Sequence, residues 1–187
     1  MSSILDKAIA FAVQAHSNMM RKGTTIPYIL HPLEVAGIVA TMTDDKEVIA
    51  AAVLHDVLED TPITISQLMS EFGQQVTELV RAESENKRED RPATETWKLR
   101  KQETIDSLIK EKRNYVKMIV LGDKLSNVRA MYYDYQIIGD KLWGRFNQKD
   151  KSEHGWYYRS IADATIELSK YPVWQEYDRF VHLLFKY

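Results

Sequence analysis

Between Ala50 and Asp60 the chain reads Ala-Ala-Ala-Val-Leu-His-Asp-Val-Leu-Glu-Asp. On a helix each residue turns by about 100°. Ala50, Ala51, Leu54, Val57 and Leu58 then share one side, and His55, Asp56, Glu59 and Asp60 share the other. Glu59 lies four residues after His55 and Asp60 four after Asp56, so the four side chains form one cluster. Most such clusters are solvated faces. Two features oppose that reading here. One turn earlier the same side carries Val48, Ile49, Ala52 and Val53, so the polar arc does not continue as a wet stripe. Neighbouring carboxylates also repel unless a cation or protons balance them. Acids grouped with a histidine suit a hard or borderline divalent cation, and the segment is read as a site.

A second acid stands in an apolar setting. Asp123 shares its helical sector with Val116, Ile119 and Val120, and Asn127 lies one turn further on. The opposite side holds Met118, Leu121, Leu125 and Val128, so the helix reads as buried on both sides. A carboxylate lodged there needs a partner, either a neighbouring Lys or Arg or a metal ion. Asn127 is read as a buried, hydrogen-bonded amide or a ligand contact. His31 precedes Pro32. Taken alone, it reads as a helix-capping or core histidine.

These residues need helices to carry them, and the pattern is helical almost throughout. Ile4, Ala8, Phe11, Ala12 and Ala15 mark a first helix, with Ser2 or Ser3 as its cap. Gly23 and Pro27 break the chain between 21 and 27. A second helix starts near His31 or Pro32 and runs to about Thr41. A third, capped by Asp44 or Asp45, runs from Lys46 to about Leu58 and is ended by Thr61-Pro62. Thr64 or Ser66 opens a short helix, and Gly73 separates it from another, from Gln74 to about Ala82. The charged stretch from Glu83 to Glu95 reads as a loop bordering a site. Helices follow over Trp97 to Ile109 and from Asn114 to about Tyr135, then a loop from Gly139 to Glu153. Two helices, near Trp156 to Leu168 and Trp174 to Phe185, close the chain. No segment alternates with period two and no repeat is visible, so the expectation is an all-α helical bundle forming a single domain, residues 1–187.

Composition narrows the function classes. The 187 residues carry 25 Lys and Arg against 27 Asp and Glu, a net charge near −2, which argues against a nucleic-acid binder. The absence of cysteine excludes disulfides, thiol nucleophiles and thiolate zinc sites, and fits the cytoplasm. The longest apolar run, Val48 to Leu54, is too short to span a membrane, and the start of the chain lacks the layout of a signal peptide.

In order along the chain, His31, then His55-Asp56, then Asp123 resemble the HD superfamily. More narrowly, three segments resemble the hydrolase domain of the RelA/SpoT homologues, enzymes that degrade the alarmone (p)ppGpp. They are Arg21-Lys-Gly-Thr with Pro27-Tyr-Ile-Leu-His-Pro, His55-Asp-Val-Leu-Glu-Asp-Thr, and Gly122-Asp-Lys-Leu-Ser-Asn-Val-Arg. The chain length suggests the small alarmone hydrolase type, with no synthetase or regulatory domain. Further agreement lies in Ser84-Glu-Asn-Lys, Thr96-Trp-Lys-Leu-Arg-Lys, Trp143-Gly-Arg-Phe and Trp156-Tyr-Tyr. Asn86 stands where an Asp is more usual.

The resemblance implies that His31, His55, Asp56 and Asp123 hold one divalent ion, usually manganese. It implies hydrolysis of the 3′-pyrophosphate of a guanosine or adenosine 3′,5′-bis(diphosphate), leaving pyrophosphate and a nucleoside 5′-diphosphate. Glu59 and Asp60 are expected to position or activate the attacking water. Arg21, Lys22, Lys124, Asn127, Arg145 and Tyr157 are the expected contacts of this small nucleotide substrate. For Arg21 and Lys22 the plain alternative is an exposed basic turn, and for the aromatics it is packing. The competing functions are an HD phosphatase acting on another nucleotide such as NADPH and a non-catalytic nucleotide sensor. A di-iron oxygenase would need further His ligands, and His16, His154 and His182 are not expected to supply them.

Overall fold

A computed structural model describes residues 3–88 and 90–186. They form α-helices joined by turns, with two short 3-10 segments and no strand apart from a single Met20–Pro27 bridge, as the all-α expectation has it. The described residues gather into two compact units: the chain up to Ser84 with Met118–Asp123, and Glu85–Lys117 with the residues from Lys124 onward.

In the first unit, helix α1 (Ile4–Ala15) opens on Ser3, whose hydroxyl accepts from the Asp6 amide while Asp6 accepts from the Ser3 amide. Ser2 lies outside the described residues. Helix α2 (Leu30–Val39) carries Pro32 in its first turn, where a missing N–H costs nothing. Helix α3 (Lys46–Leu54) is capped by the Asp45 carboxylate. From Ala50 to Leu54 every residue of α3 is buried, which fits a helix packed by α1, α2 and helix α5 (Ile65–Glu83). Its alanines allow that close approach.

The sequence reading of one helix from Lys46 to Leu58 is corrected. Helix α3 stops at Leu54, and a separate turn, α4 (Val57–Asp60), follows. The Ala52 carbonyl would accept from the Asp56 amide in a continuing helix. It lies instead 2.9 Å from Nδ1 of His55, so the side chain competes for the backbone acceptor. The Thr61 hydroxyl closes α4 by donating to the Val57 carbonyl at 2.6 Å. Further on, Thr64 and Gln67 cap α5 reciprocally, and Gly73 kinks it with φ +78° and ψ −176°, a region open essentially to glycine alone.

In the second unit, helix α6 (Ala93–Lys110) starts four residues before the expected Trp97, because Pro92 opens it and Glu95 suits its first turn. Helix α7 (Asn114–Ile138), whose Met118–Asp123 stretch belongs to the first unit, ends at Gly139, whose φ of +57° stops it. A 3-10 segment (Gly139–Arg145), helix α8 (Lys151–Ala164), a second 3-10 turn (Ile166–Leu168) and helix α9 (Pro172–Phe185) follow. α8 packs on α6 and α9: Trp97, Trp143 and Phe146 surround His154, and Tyr158 meets Tyr177 and Phe185 of α9.

One close approach matters for the site. A Cβ on Gly122 of α7 would meet Val39 Cγ2 at 3.0 Å and Val35 Cγ1 at 3.4 Å. Val35 and Val39 stand one and two turns after His31 on α2, so the bare glycine lets the stripe carrying His31 press against the turn carrying Asp123. Gly122→Val should cost about 1–3 kcal/mol in urea unfolding of the metal-free protein, the usual range for overpacking. It should also weaken binding of a divalent cation; unchanged unfolding and unchanged cation affinity would refute the role given to this glycine.

Candidate metal centre

Three backbone features deliver the donors. The loop before α2 is pinned by the Arg21 amide to the Ile26 carbonyl at 2.8 Å and by the Tyr28 amide to the Met19 carbonyl at 2.9 Å. The His31 amide then bonds the Tyr28 carbonyl at 2.9 Å, a helical turn that sets Tyr28 and His31 on one side. The interrupted end of α3 presents His55 and Asp56, and α7 presents Asp123.

Nε2 of His31 lies 3.0 Å from Oδ1 of Asp123 and 3.6 Å from Oδ2 of Asp56. Nε2 of His55 lies 3.0 Å from the same Asp56 oxygen and 3.8 Å from the same Asp123 oxygen. His31, His55 and Asp123 are all buried, and one ligand atom from each falls within 4.8 Å of the others. Asp56 sits at their edge, half-buried.

The donor chemistry fits a divalent cation. A carbonyl only accepts, so Nδ1 of His55 beside the Ala52 carbonyl carries the ring proton in the neutral imidazole. In that neutral form Nε2 offers a buried lone pair to two carboxylate oxygens, 3.0 Å from Asp56 and 3.8 Å from Asp123. Such an arrangement calls for a proton or a metal ion. In its absence the proton settles on one imidazole. Burial pulls His55 down, but Asp56 and Asp123 outweigh it and hold it well above its ordinary value. For His31 burial prevails over Asp123 and the pKa falls. Burial would raise the Asp56 carboxyl, yet the charge and hydrogen bond of His55 hold it far below the usual range.

Of the remaining expected residues, Glu59 and Asp60 lie half-buried on α4. Lys22 is exposed, and Arg21 is half-buried with its guanidinium 5.8 Å from the Tyr28 ring centre. Lys124, Asn127, Arg145 and Tyr157 belong to the second unit. There Arg145 pairs with Asp134 at 2.5 Å, and Tyr157 is buried against Trp97 and Tyr158.

Two residues escaped the sequence reading. The Tyr28 hydroxyl lies 2.5 Å from Oδ2 of Asp56 and 2.8 Å from Oδ2 of Asp60. His16, set aside as a ligand, packs its ring 4.9 Å from that of Tyr28. Neither of its nitrogens has a hydrogen-bond partner among the described residues, and burial lowers its pKa. The one available signal was Tyr28 standing three residues before His31, and it required knowing that this stretch is a helical turn.

Because the metal-free His55 is held protonated above pH 6.5, a cation must displace that proton. Affinity for the cation should therefore rise about tenfold per pH unit from about pH 6.5 up to the folded-state pKa of His55, then level off. Calorimetric titration in buffers of different ionisation enthalpy should show about one proton released near pH 7. No release and a flat affinity over that range would contradict the assignment.

Residues 8–136 match the HD-domain family. A guanosine-3′,5′-bis(diphosphate) 3′-pyrophosphohydrolase of Haemophilus influenzae is 38% identical over 121 residues, covering 64% of this chain and 17% of that protein. A protein named GTP pyrophosphokinase rsh, of Brucella ovis, is 34% identical over 132 residues, covering 69% of this chain and 17% of its own length. The chain thus spans about one-sixth of the curated relatives it matches. Among solved structures, a metazoan orthologue of SpoT, described as hydrolysing ppGpp, superposes with a TM-score of 0.76 over 96% of this chain and 94% of its own, at 24% identity, a likeness of fold. No described helix is long and apolar enough to cross a membrane. With the HD order of His31, His55-Asp56 and Asp123 converging in one buried centre, the chain belongs to the HD-domain family, within the RelA/SpoT-homologue superfamily.

Proposed function

We propose that this chain, acting as one hydrolase domain in the cytoplasm, removes the 3′-pyrophosphate from guanosine or adenosine 3′,5′-bis(diphosphate)-type alarmones. The observation that carries the reading is the buried Nε2 of His55 facing Asp56 and Asp123, beside half-buried acids on α4. The Haemophilus relative supports the substrate class by its name.

In this reading His31, His55 and Asp123, with Asp56 as fourth donor, hold a manganese ion. Bound there, a divalent ion would stabilise charge on phosphoryl oxygens and make the attacking water more acidic. Water attacks the phosphorus bonded to the 3′-oxygen and the P–O3′ bond breaks. Glu59 or Asp60 takes the water's proton, and the 3′-oxygen leaves with a proton to complete the nucleoside 5′-diphosphate. Asp60 accepts a hydrogen bond from the Tyr28 hydroxyl at 2.8 Å. Arg21, Lys22, Lys124, Asn127, Arg145 and Tyr157 are proposed to contact the nucleotide, the cations at its phosphates.

The test is pyrophosphate release from ppGpp and from ppApp, with manganese, with EDTA, and with Asp56→Ala. Release should need the metal and disappear in that variant. Asp60→Asn or Glu59→Gln should lower kcat by about 10²–10⁴ while leaving nucleotide binding in place. No release from either nucleotide with manganese demonstrably bound would overturn the reading in favour of another phosphoester or a nucleotide sensor. Unchanged turnover in both carboxylate variants would overturn their assignment.

A further inference from the structure

The ring of Tyr28 is held from several sides. His16 packs on it at 4.9 Å, the His31 ring meets it edge-on at 5.9 Å, and the Arg21 guanidinium stands 5.8 Å away. This clamp fixes where the hydroxyl points. The oxygen lies 2.5 Å from Oδ2 of Asp56 and 2.8 Å from Oδ2 of Asp60. Oδ2 of Asp56 is also the atom that faces both imidazoles of the metal centre. One hydroxyl therefore touches the oxygen aimed at the cation and the carboxylate placed to handle a proton.

We propose that Tyr28 is a positioning residue whose single hydroxyl holds Asp56 in its metal-binding rotamer and sets Asp60 at a fixed spacing beside it. Burial and the two carboxylates keep the phenol protonated, so it remains a donor. A phenol has one proton to give, and two carboxylate oxygens compete for it. Without the hydroxyl both carboxylates lose a charge-assisted partner, and the Asp56 oxygen is free to turn from the imidazoles. Partners of this kind behind a metal ligand typically change metal affinity or activity by 10–100-fold. The role of Asp60 rests on the hydrolase reading above; the hold on Asp56 does not.

Tyr28→Phe keeps the ring that packs on His16 and His31 and removes the hydroxyl alone. Manganese affinity is read directly on the metal-free protein by the resonance signal of free Mn²⁺, and kcat and KM are read at saturating manganese. The variant should bind manganese about 10–100-fold more weakly and, once saturated, turn over about 10–100-fold more slowly, with KM within about twofold. A purely packing role predicts manganese affinity and kcat both within twofold of the parent, and that result would overturn the proposal. A kcat fully restored by saturating manganese would overturn the part concerning Asp60. If the parent protein releases no pyrophosphate while Tyr28→Phe still loses manganese affinity, the hydrolase reading falls and the hold on Asp56 stands. Should the Phe variant fail to fold, 3,5-difluorotyrosine at position 28 preserves the shape and makes the O–H more acidic. It should shift the pH profile of kcat and the manganese affinity if the hydroxyl serves the carboxylates; no change in either would overturn the proposal.

Discussion

Asp56 and Asp123 approach the same pair of imidazole nitrogens at 3.0–3.8 Å in a space where three of the four side chains are buried. Two carboxylates brought together there repel, and little water reaches them to screen the repulsion. A shared proton on His55 relieves it in the metal-free protein; a divalent cation relieves it more completely. The surrounding helices hold the four donors against this repulsion. α2 and α7 press together across a missing side chain at Gly122, and the buried run of α3 fixes the origin of the His55-Asp56 turn.

The interruption of α3 belongs to the same constraint. In an unbroken helix the Ala52 carbonyl would be taken by the Asp56 amide. With Nδ1 of His55 beside that carbonyl, the imidazole is oriented and its tautomer is set by one contact. The backbone turn that results separates α3, which packs the core, from α4, which carries Glu59 and Asp60. The break thus falls between the segment that packs the core and the turn that carries the two acids.

This explains what was legible in the sequence and what was not. Apolar periodicity marked the helices, Gly73 marked a kink by its backbone freedom, and the acids around His55 marked a cation site by their mutual repulsion. These signals are local, and local physics decides them. The break at His55-Asp56 was hidden because a side chain outcompetes a backbone donor there, which spacing does not encode. Tyr28 and His16 were hidden because their proximity to Asp56 and Asp60 depends on the loop from 17 to 29 closing through the Met19, Arg21, Ile26 and Tyr28 backbone groups. The start of α6 at Ala93 was obscured by charge density, although Pro92 was a legitimate helix opener.

Exposure divides the centre into a dry floor and a wetter rim. His31, His55 and Asp123 are buried, whereas Asp56, Glu59 and Asp60 are each partly open. Buried donors raise the worth of a cation because little solvent screens it; acids at the rim meet water and can pass a proton on to it. Arg21 and Lys22 precede Tyr28 in the loop whose tyrosine reaches the rim, and the Arg21 guanidinium stands 5.8 Å from that ring. Tyr28 stands at the boundary, with its ring against the buried His31 and its hydroxyl on the rim carboxylates. Rotation of Asp56 would therefore be felt on both sides of that boundary at once, by the imidazoles through Oδ2 and by Asp60 through the shared hydroxyl.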